Sequence, residues 1–308
     1  MEYQAIRVTT LRGDQKLNFD AYMKVADKMI LYIRRGESFE GDRLKRLKDK
    51  KLKKMYIIPD HEVLYREYLQ RNIEIAYDEK SGRDITVRAE IVQGQQQNNI
   101  EEVFEHPELA EAYYNAKDLA GKYMQFLLGN SKAVSAVMAI ENSEKNISHH
   151  GVNVAAIAVA LAQKLGMIDP KQNQHLTLGA LLHDFGHYET SMSPPPDLTA
   201  LSPEELTKYQ SHPVNGASKL QDKRHFEAPV LKIIQQHEEL VDGTGFPFGL
   251  RESQMDPLAI LVSTANAVDR MMTFENVPRD QIAKRFMTEK IGRYPLNHIQ
   301  LLADILKA

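Results

Sequence analysis

Cysteine is absent from the 308-residue sequence. That excludes disulfides and thiolate ligands, and it agrees with a reducing cytoplasm. Any bound metal must therefore be held by His, Asp, Glu, Asn or water. No run of about 18 apolar residues occurs, so no membrane span is expected. The opening Met1-Glu2-Tyr3-Gln4 lacks the basic-then-apolar pattern of a secretory signal. Net charge is only −3, which argues against a general polyanion binder. Together these absences lead us to expect a cytoplasmic chain with no membrane insertion and no nucleic-acid polymer as partner.

What is present is ordinary globular material, 43% apolar and 26% charged. At roughly 100–200 residues per domain, the length suggests two domains. Residues 3–10 alternate, with Ile6, Val8 and Thr10 on one face. Residues 19–35 read as a strand pair around Ala26-Asp27-Lys28. Asp42 to Lys54 reads as a basic helix with Leu44, Leu47 and Lys51 at helical spacing. Met55-Tyr56-Ile57-Ile58 reads as a short strand closed by Pro59. Asp60 reads as the N-cap of a helix from Glu62 to Ile75. The segment from Ser81 to Asn99, with its glycines and glutamine run, reads as a loop or linker. After Pro107 the character changes, and residues 108–128, 131–145 and 148–166 carry helical periodicity. The boundary falls near residues 95–110. The expected architecture is a small α+β domain over residues 1–100 followed by an all-α helical bundle over residues 101–308.

The basic segment Arg43–Lys54 admits a nucleic-acid or phospholipid reading. Leu44, Leu47, Leu52 and Met55 supply a core stripe, so a solvated helix face over a small sheet is the better reading.

Eight of the eleven histidines fall between residues 149 and 237. His149-His150 opens an apolar helix. His183-Asp184 follows the run Leu176-Thr-Leu-Gly-Ala-Leu-Leu. His212-Pro213 sits at a helix start, and His237-Glu238-Glu239 ends the apolar stretch from Val230 to Ile234. The groups at 150, 183, 212 and 237 lie 25–33 residues apart, so each can come from a different helix of a bundle. Neutral imidazoles and a carboxylate suit a first-row divalent metal. At a helix end, an adjacent His-Asp pair can serve two metals, or the Asp can bridge them. Two ions roughly 3.5–4 Å apart can activate a bridging water and clamp an in-line phosphoryl displacement. The alternative is that each histidine is a packing or capping residue. By default His149, His175, His187 and His225 are read as surface residues or as supports around the site. Asp242-Gly-Thr-Gly245 describes a tight loop able to lie over a site, with Gly243 and Gly245 permitting positive φ and Pro247 stiffening the exit.

Taken in order, these segments resemble the HD-GYP family, bacterial members of the HD superfamily of metal phosphohydrolases. The segments are His150-Gly-Val-Asn-Val, His183-Asp184-Phe-Gly, Leu198-Thr-Ala-Leu-Ser-Pro-Glu-Glu, His212-Pro-Val-Asn-Gly and Asp242-Gly-Thr-Gly-Phe-Pro-Phe-Gly-Leu250. The resemblance covers about residues 146–275. It implies a helical HD-type domain with a two- or three-metal site, usually iron or manganese. It also implies hydrolysis of cyclic-di-GMP to the linear dinucleotide or GMP through a metal-bridging hydroxide. By position it implies His150, His183, Asp184, His212 and His237 as metal ligands, with the His183-Asp184 pair at the catalytic centre and Asp184 bridging.

The chain departs from the family pattern at named positions. Glu238 stands where a second histidine is usual, and Asn266 where an Asp is usual. Both are carried as candidate ligands, with Asp269 left open. Asn146 replaces a Glu associated with a third metal, so two ions are expected, iron first and manganese next. His187 stands for a Lys, and Phe246 for the Tyr of Gly-Tyr-Pro. His187, Gly245, Phe246 and Arg270 are carried as substrate-binding positions, with Arg251 and Lys223 as further candidate cations.

The first hypothesis is a binuclear cyclic dinucleotide phosphodiesterase. The alternative is a metal-containing signalling adaptor that binds a nucleotide or a protein partner without hydrolysis. A third is hydrolysis of another phosphoester. The N-terminal domain is expected to be regulatory or to act as an adaptor for a protein partner.

Overall fold

The computed structural model describes residues 2–50, 52–142, 144–190, 192 and 194–307. The chain divides into two compact units, Met1–Asn98 and Asn99–Ala308.

In the first unit, strands β1 (Gln4–Arg7), β2 (Ala21–Val25), β3 (Lys28–Ile33) and β4 (Lys54–Ile57) form one antiparallel sheet in the order β1-β4-β2-β3. The alternation sets the register: Ile6 pairs with Met55 and Ala21 with Ile33, and all four are buried. Helix α1 (Arg43–Asp49) contributes Leu44 and Leu47 to this core, and its basic residues lie outside it. Lys51, expected on the same stripe, lies outside the described residues. Helix α2 (Glu62–Tyr77) contributes Tyr65 and Tyr68, whose rings meet Phe19 edge-on at 5.4 and 5.6 Å. Asp60 is not the N-cap of α2. A short 3-10 turn, Pro59–His61, precedes the helix and places His61 at the cap.

The expected linker at 81–99 is a helix instead. Helix α3 (Ile85–Glu105) is 21 residues long, and the division between the units falls within it. Asp84 starts it by accepting from Thr86 N at 2.8 Å. The polar run reads as a loop but is buried within the helix, as Gln93, Gln96, Gln97 and Asn99 show. Gly94 is needed because a Cβ there would stand 2.4 Å from Thr9 O.

The second unit is helical. Helices α4 (Ala110–Gly129), α5 (Ala133–Met138), α6 (Ile147–Lys164), α7 (Pro170–Leu182) and α8 (Phe185–Thr190) come first. Helices α9 (Pro203–Gln210), α10 (His212–Gln221), α11 (Ala228–Gln236), α12 (Pro257–Thr273), α13 (Arg279–Glu289) and α14 (Leu296–Lys307) follow. Helix α5 stops well short of the expected residue 145. Asn142 turns the chain by donating to Asn146 O (2.9 Å) and accepting from Asn146 N (2.8 Å), and Lys145 takes φ 51°. Ser143 lies outside the described residues. Helix α6 is buried on all sides and packs against α7 and α12, which makes it the central helix of this unit. Among the described residues, no helix is long and apolar enough to cross a membrane.

Candidate metal centre

Helix ends build the site. His150 lies in the first turn of α6, where Asn146 is the cap, accepting from Ser148 N (2.7 Å) and His149 N (3.2 Å). His183 and His237 are the C-cap residues of α7 and α11. His212 follows Ser211, the C-cap of α9, and opens α10.

The last carbonyls of a helix lack an intrahelical donor. At three helix ends a histidine supplies one. Nδ1 of His183 donates to Ala180 O (2.7 Å), that of His212 to Tyr209 O (2.6 Å) and that of His237 to Ile234 O (2.8 Å). A carbonyl only accepts, so the ring proton sits on Nδ1 and Nε2 keeps a bare lone pair.

These bare nitrogens converge on Asp184. Its Oδ1 lies 3.4 Å from His183 Nε2, 3.7 Å from His212 Nε2 and 3.4 Å from His237 Nε2. Its Oδ2 faces His150 Nε2 at 3.7 Å. Nε2 of His212 and of His237 stand only 2.9 Å apart, an arrangement in which two lone pairs repel. His183 Nε2 is buried with no hydrogen-bond partner. Buried acceptors without a donor are costly, and a cation among them removes the cost.

His150 is aimed by a side chain. Its Nδ1 contacts Asp269 Oδ2 at 2.6 Å. Asp269 also accepts from Asn153 Nδ2 (2.9 Å) and Thr273 Oγ1 (3.0 Å). This carboxylate–histidine pair is the arrangement that orients a ligating imidazole. His150 Nε2 faces Asn266 Oδ1 at 3.0 Å, while Asn266 Nδ2 donates to Glu238 Oε1 at 3.3 Å.

The protonation states fit ligation. Burial pushes His183 down to about 3. Burial, helped by the neighbouring rings of His187 and His237, holds His212 well below its ordinary value. Burial alone would raise Asp184, but the facing imidazoles hold its carboxyl well below the usual range. Burial also opposes a charge on His150, but Asp269 outweighs it and raises the pKa. A carboxylate beside the neutral imidazoles of His183 and His212 is a donor set for a first-row divalent ion. His150-His183-Asp184 and His212-His237-Glu238 are two compact ligand groups, and Asp184-His187-His212 is a third.

His187 is not a surface residue. It is 2% exposed, its ring stacks on His212 at 3.8 Å, and its Nδ1 is buried without a partner. His175 is also buried, against Glu227 Oε1 at 3.3 Å. His149 is buried and its ring Nε2 meets Ile140 O at 3.1 Å. The half-buried His225 reaches Pro107 O at 3.1 Å.

The glycine loop differs from expectation in one respect. Gly243 has φ 82°, but Gly245 is not left-handed. Gly245 is needed for close approach, since a Cβ there would stand 2.3 Å from Leu240 N and 2.6 Å from Glu238 O. Phe246 is half-buried with its ring edge-on to Tyr209 (5.8 Å) and near His212 (6.2 Å). The buried Glu239 fastens the loop by accepting from Phe248 N (2.6 Å) and Leu250 N (2.9 Å). Asp242 is spent on Thr244, through its N (2.9 Å) and Oγ1 (2.7 Å). The Arg270 guanidinium donates to Tyr209 Oη and to Pro195 O (2.8 Å) and lies 3.9 Å from Glu275. Among the described residues, Arg251 and Lys223 form no side-chain hydrogen bond or ion pair with the cluster.

Sequence reasoning missed Tyr209, Asn153 and Glu239, and left Asp269 open. Spacing holds the available signals: Asp269 lies one helical turn after Asn266, and Tyr209 three residues before His212.

A match to the HD domain family covers residues 147–271, the stretch that carries this cluster. A solved structure similar over its whole length is Bd1817, an HDG"Y"P protein from Bdellovibrio bacteriovorus. It is 60% identical, covers 100% of both chains and superposes with a TM-score of 0.93. The chain belongs to the HD-GYP family. Two curated relatives are similar over part of the chain. Cyclic di-GMP phosphodiesterase PA4108 of Pseudomonas aeruginosa is 32% identical over 160 residues, which is 50% of this chain and 37% of that protein. Cyclic di-GMP phosphodiesterase PdeB of Borreliella burgdorferi is 27% identical over 118 residues, 38% of this chain and 31% of that protein. The chain thus spans about a third of the length of these curated relatives.

Proposed function

We propose that this protein is a metal-dependent phosphodiesterase that opens a cyclic dinucleotide, with cyclic-di-GMP the substrate its curated relatives point to. The observation that carries the reading is the convergence of bare His183, His212 and His237 Nε2 atoms on Asp184 Oδ1. In this reading His150, His183 and Asp184 hold one ion, and Asp184, His212, His237 and Glu238 hold the other, with Asn266 between the groups. Iron is the first expectation and manganese the second. When bound, such ions supply an activated water and neutralise the phosphoryl oxygens.

The chain's own residues do the rest. Asp184 faces both ligand groups, with Oδ1 toward His183, His212 and His237 and Oδ2 toward His150. The main-chain carbonyls at 180, 209 and 234 keep the imidazoles in the ligating tautomer. Phe246 and the stacked His187 wall the site beside His212, and Gly245 lets the loop lie against Glu238. The first unit is read as a regulatory or adaptor domain in a cytoplasmic protein.

The test is full-length protein loaded with iron or manganese and given cyclic-di-GMP. Linear dinucleotide or GMP should appear, and metal removal should stop it. Intact metal occupancy with no turnover would sink the reading.

One observation favours the adaptor reading. Arg270, a cation at the site, is engaged by Tyr209, Pro195 and Glu275, and Phe246 offers no hydroxyl. An adaptor would keep its metal and bind nucleotide or partner protein without product. A panel of cyclic dinucleotides and other phosphoesters, read for both binding and hydrolysis, separates the two.

A further inference from the structure

Tyr209 is fully buried, yet its hydroxyl lies at the metal centre. Its Oη contacts Glu238 Oε1 at 2.9 Å and also meets Arg270 Nη1. A guanidinium only donates, so the tyrosine oxygen accepts from Arg270. Its single proton is then directed to Glu238. The chain of bonds runs one way, from Arg270 to Tyr209 to Glu238. The Arg270 guanidinium carbon also lies 5.3 Å from the centroid of the Tyr209 ring, and its other Nη is held by Pro195 O. Glu238 Oε1 receives a second bond, from Asn266 Nδ2. Both protein donors fall on Oε1, which leaves Oε2 for an ion.

We infer that Tyr209 and Arg270 are positioning residues that aim the Glu238 carboxylate at the ion held by His212 and His237. This rests on the metal-centre reading above and assigns to Glu238 a support of its own. His150 has Asp269 for this purpose, and the three helix-end histidines have carbonyls. Glu238 is partly exposed and on a flexible stem, and among the described residues no main-chain donor holds it. The Arg270–Tyr209 pair supplies the missing constraint. It also sets a positive charge one residue behind the carboxylate. A histidine at 238 that ligates through its bare nitrogen would keep only an N–H, and so could not accept the Tyr209 proton.

The test is a manganese titration of full-length protein, reading free and bound ion by electron paramagnetic resonance. Wild type, Tyr209→Phe, Glu238→Ala and the double variant are compared. Loss of an outer partner of a ligand typically lowers metal affinity roughly ten- to a hundredfold. Tyr209→Phe should show that loss for the more weakly held ion. In the Glu238→Ala background it should change affinity by less than about twofold, since additivity fails when one residue acts through another. Equal losses in both backgrounds, or no loss in the first, would overturn the inference. Phe keeps the ring that fills the site. If Tyr209→Phe nevertheless fails to fold, Arg270→Lys interrupts the same chain from its other end, and the same cycle with Glu238→Ala decides. Wild-type protein that takes up no manganese or iron would overturn the metal-centre reading itself. Wild type that binds ions with Tyr209→Phe unchanged would overturn only this inference.

Discussion

In the first unit the hydroxyls of Tyr65 and Tyr68 lie in the core, and each has a partner. Tyr65 meets Thr10 Oγ1 at 2.8 Å, and Tyr68 accepts from Arg12 N at 2.8 Å. In the second unit the buried acceptors of His183, His212 and His237 have no donor, and they point at one another and at a carboxylate. Buried polar atoms ordinarily find partners. The two tyrosines find theirs in the fold, in the Thr10 side chain and the Arg12 main chain. The helix-end histidines would find theirs in a cation. The contrast separates polar atoms that serve the fold from polar atoms kept for a ligand.

The comparison breaks first at Asp184. Asp184→Ala removes the carboxylate that faces all four histidines. We expect bound metal to fall by more than about a hundredfold in affinity, beyond the loss caused by removing only an outer partner of a ligand. Metal analysis after gel filtration checks it, and wild-type metal content would end the two-group reading of the site. The next effect belongs to the first unit. Phe19→Ala empties a fully buried site between Tyr65 and Tyr68 and should cost about 3–5 kcal/mol in chemical denaturation. Metal content should stay at the wild-type level.

A smaller effect tests a histidine of the second unit that serves the fold. Thr264 Oγ1 donates to Ile260 O, so His298 Nδ1 donates to that oxygen, at 2.9 Å. Burial pushes His298 from 6.5 down to about 4. The unfolded chain therefore binds the proton first. The stabilisation is complete above pH 6.5 and is lost as pH falls through the window to about 4. Between pH 7.5 and 5 the melting temperature of wild type should drop by the equivalent of about 1 kcal/mol more than that of His298→Gln. Parallel pH profiles would refute this. The smallest effect is at the surface of the second unit. Ser202 and Glu205 form a reciprocal cap at the start of α9, and Ser202→Ala should cost about 1 kcal/mol in thermal unfolding.

The same contrast explains what the sequence allowed. The four strands and the helices of the bundle were legible where apolar residues kept a pattern, as in Ile6, Met55 and the apolar run of α6. Helix α3 was not, because Gln93, Gln96, Gln97 and Asn99 are buried and polar, and burial of glutamine leaves no periodic mark. The candidate ligand histidines stood out because each adjoins an apolar helix. Their aim did not, because the carbonyls of Ala180, Tyr209 and Ile234 belong to the main chain. The place of His187 did not show either, because nothing in the sequence reveals that its ring stacks on His212. The line from Arg270 through Tyr209 to Glu238 joins residues 61 and 29 positions apart, a pairing that no local spacing reveals.

The helix-end histidines make tolerance to mutation uneven across the centre. His183, His212 and His237 are held by backbone oxygens, which every amino acid supplies. Exchanges at Ala180 or Ile234 that preserve the helix leave the imidazoles pointing where they point now. His150 and Glu238 are held by side chains, Asp269 in one case and Tyr209 in the other. Drift in this protein is therefore tolerated behind three of the candidate ligands and costly behind the other two. Variants that change which ion is preferred, without losing the site, should concentrate at Asp269, Tyr209 and Arg270.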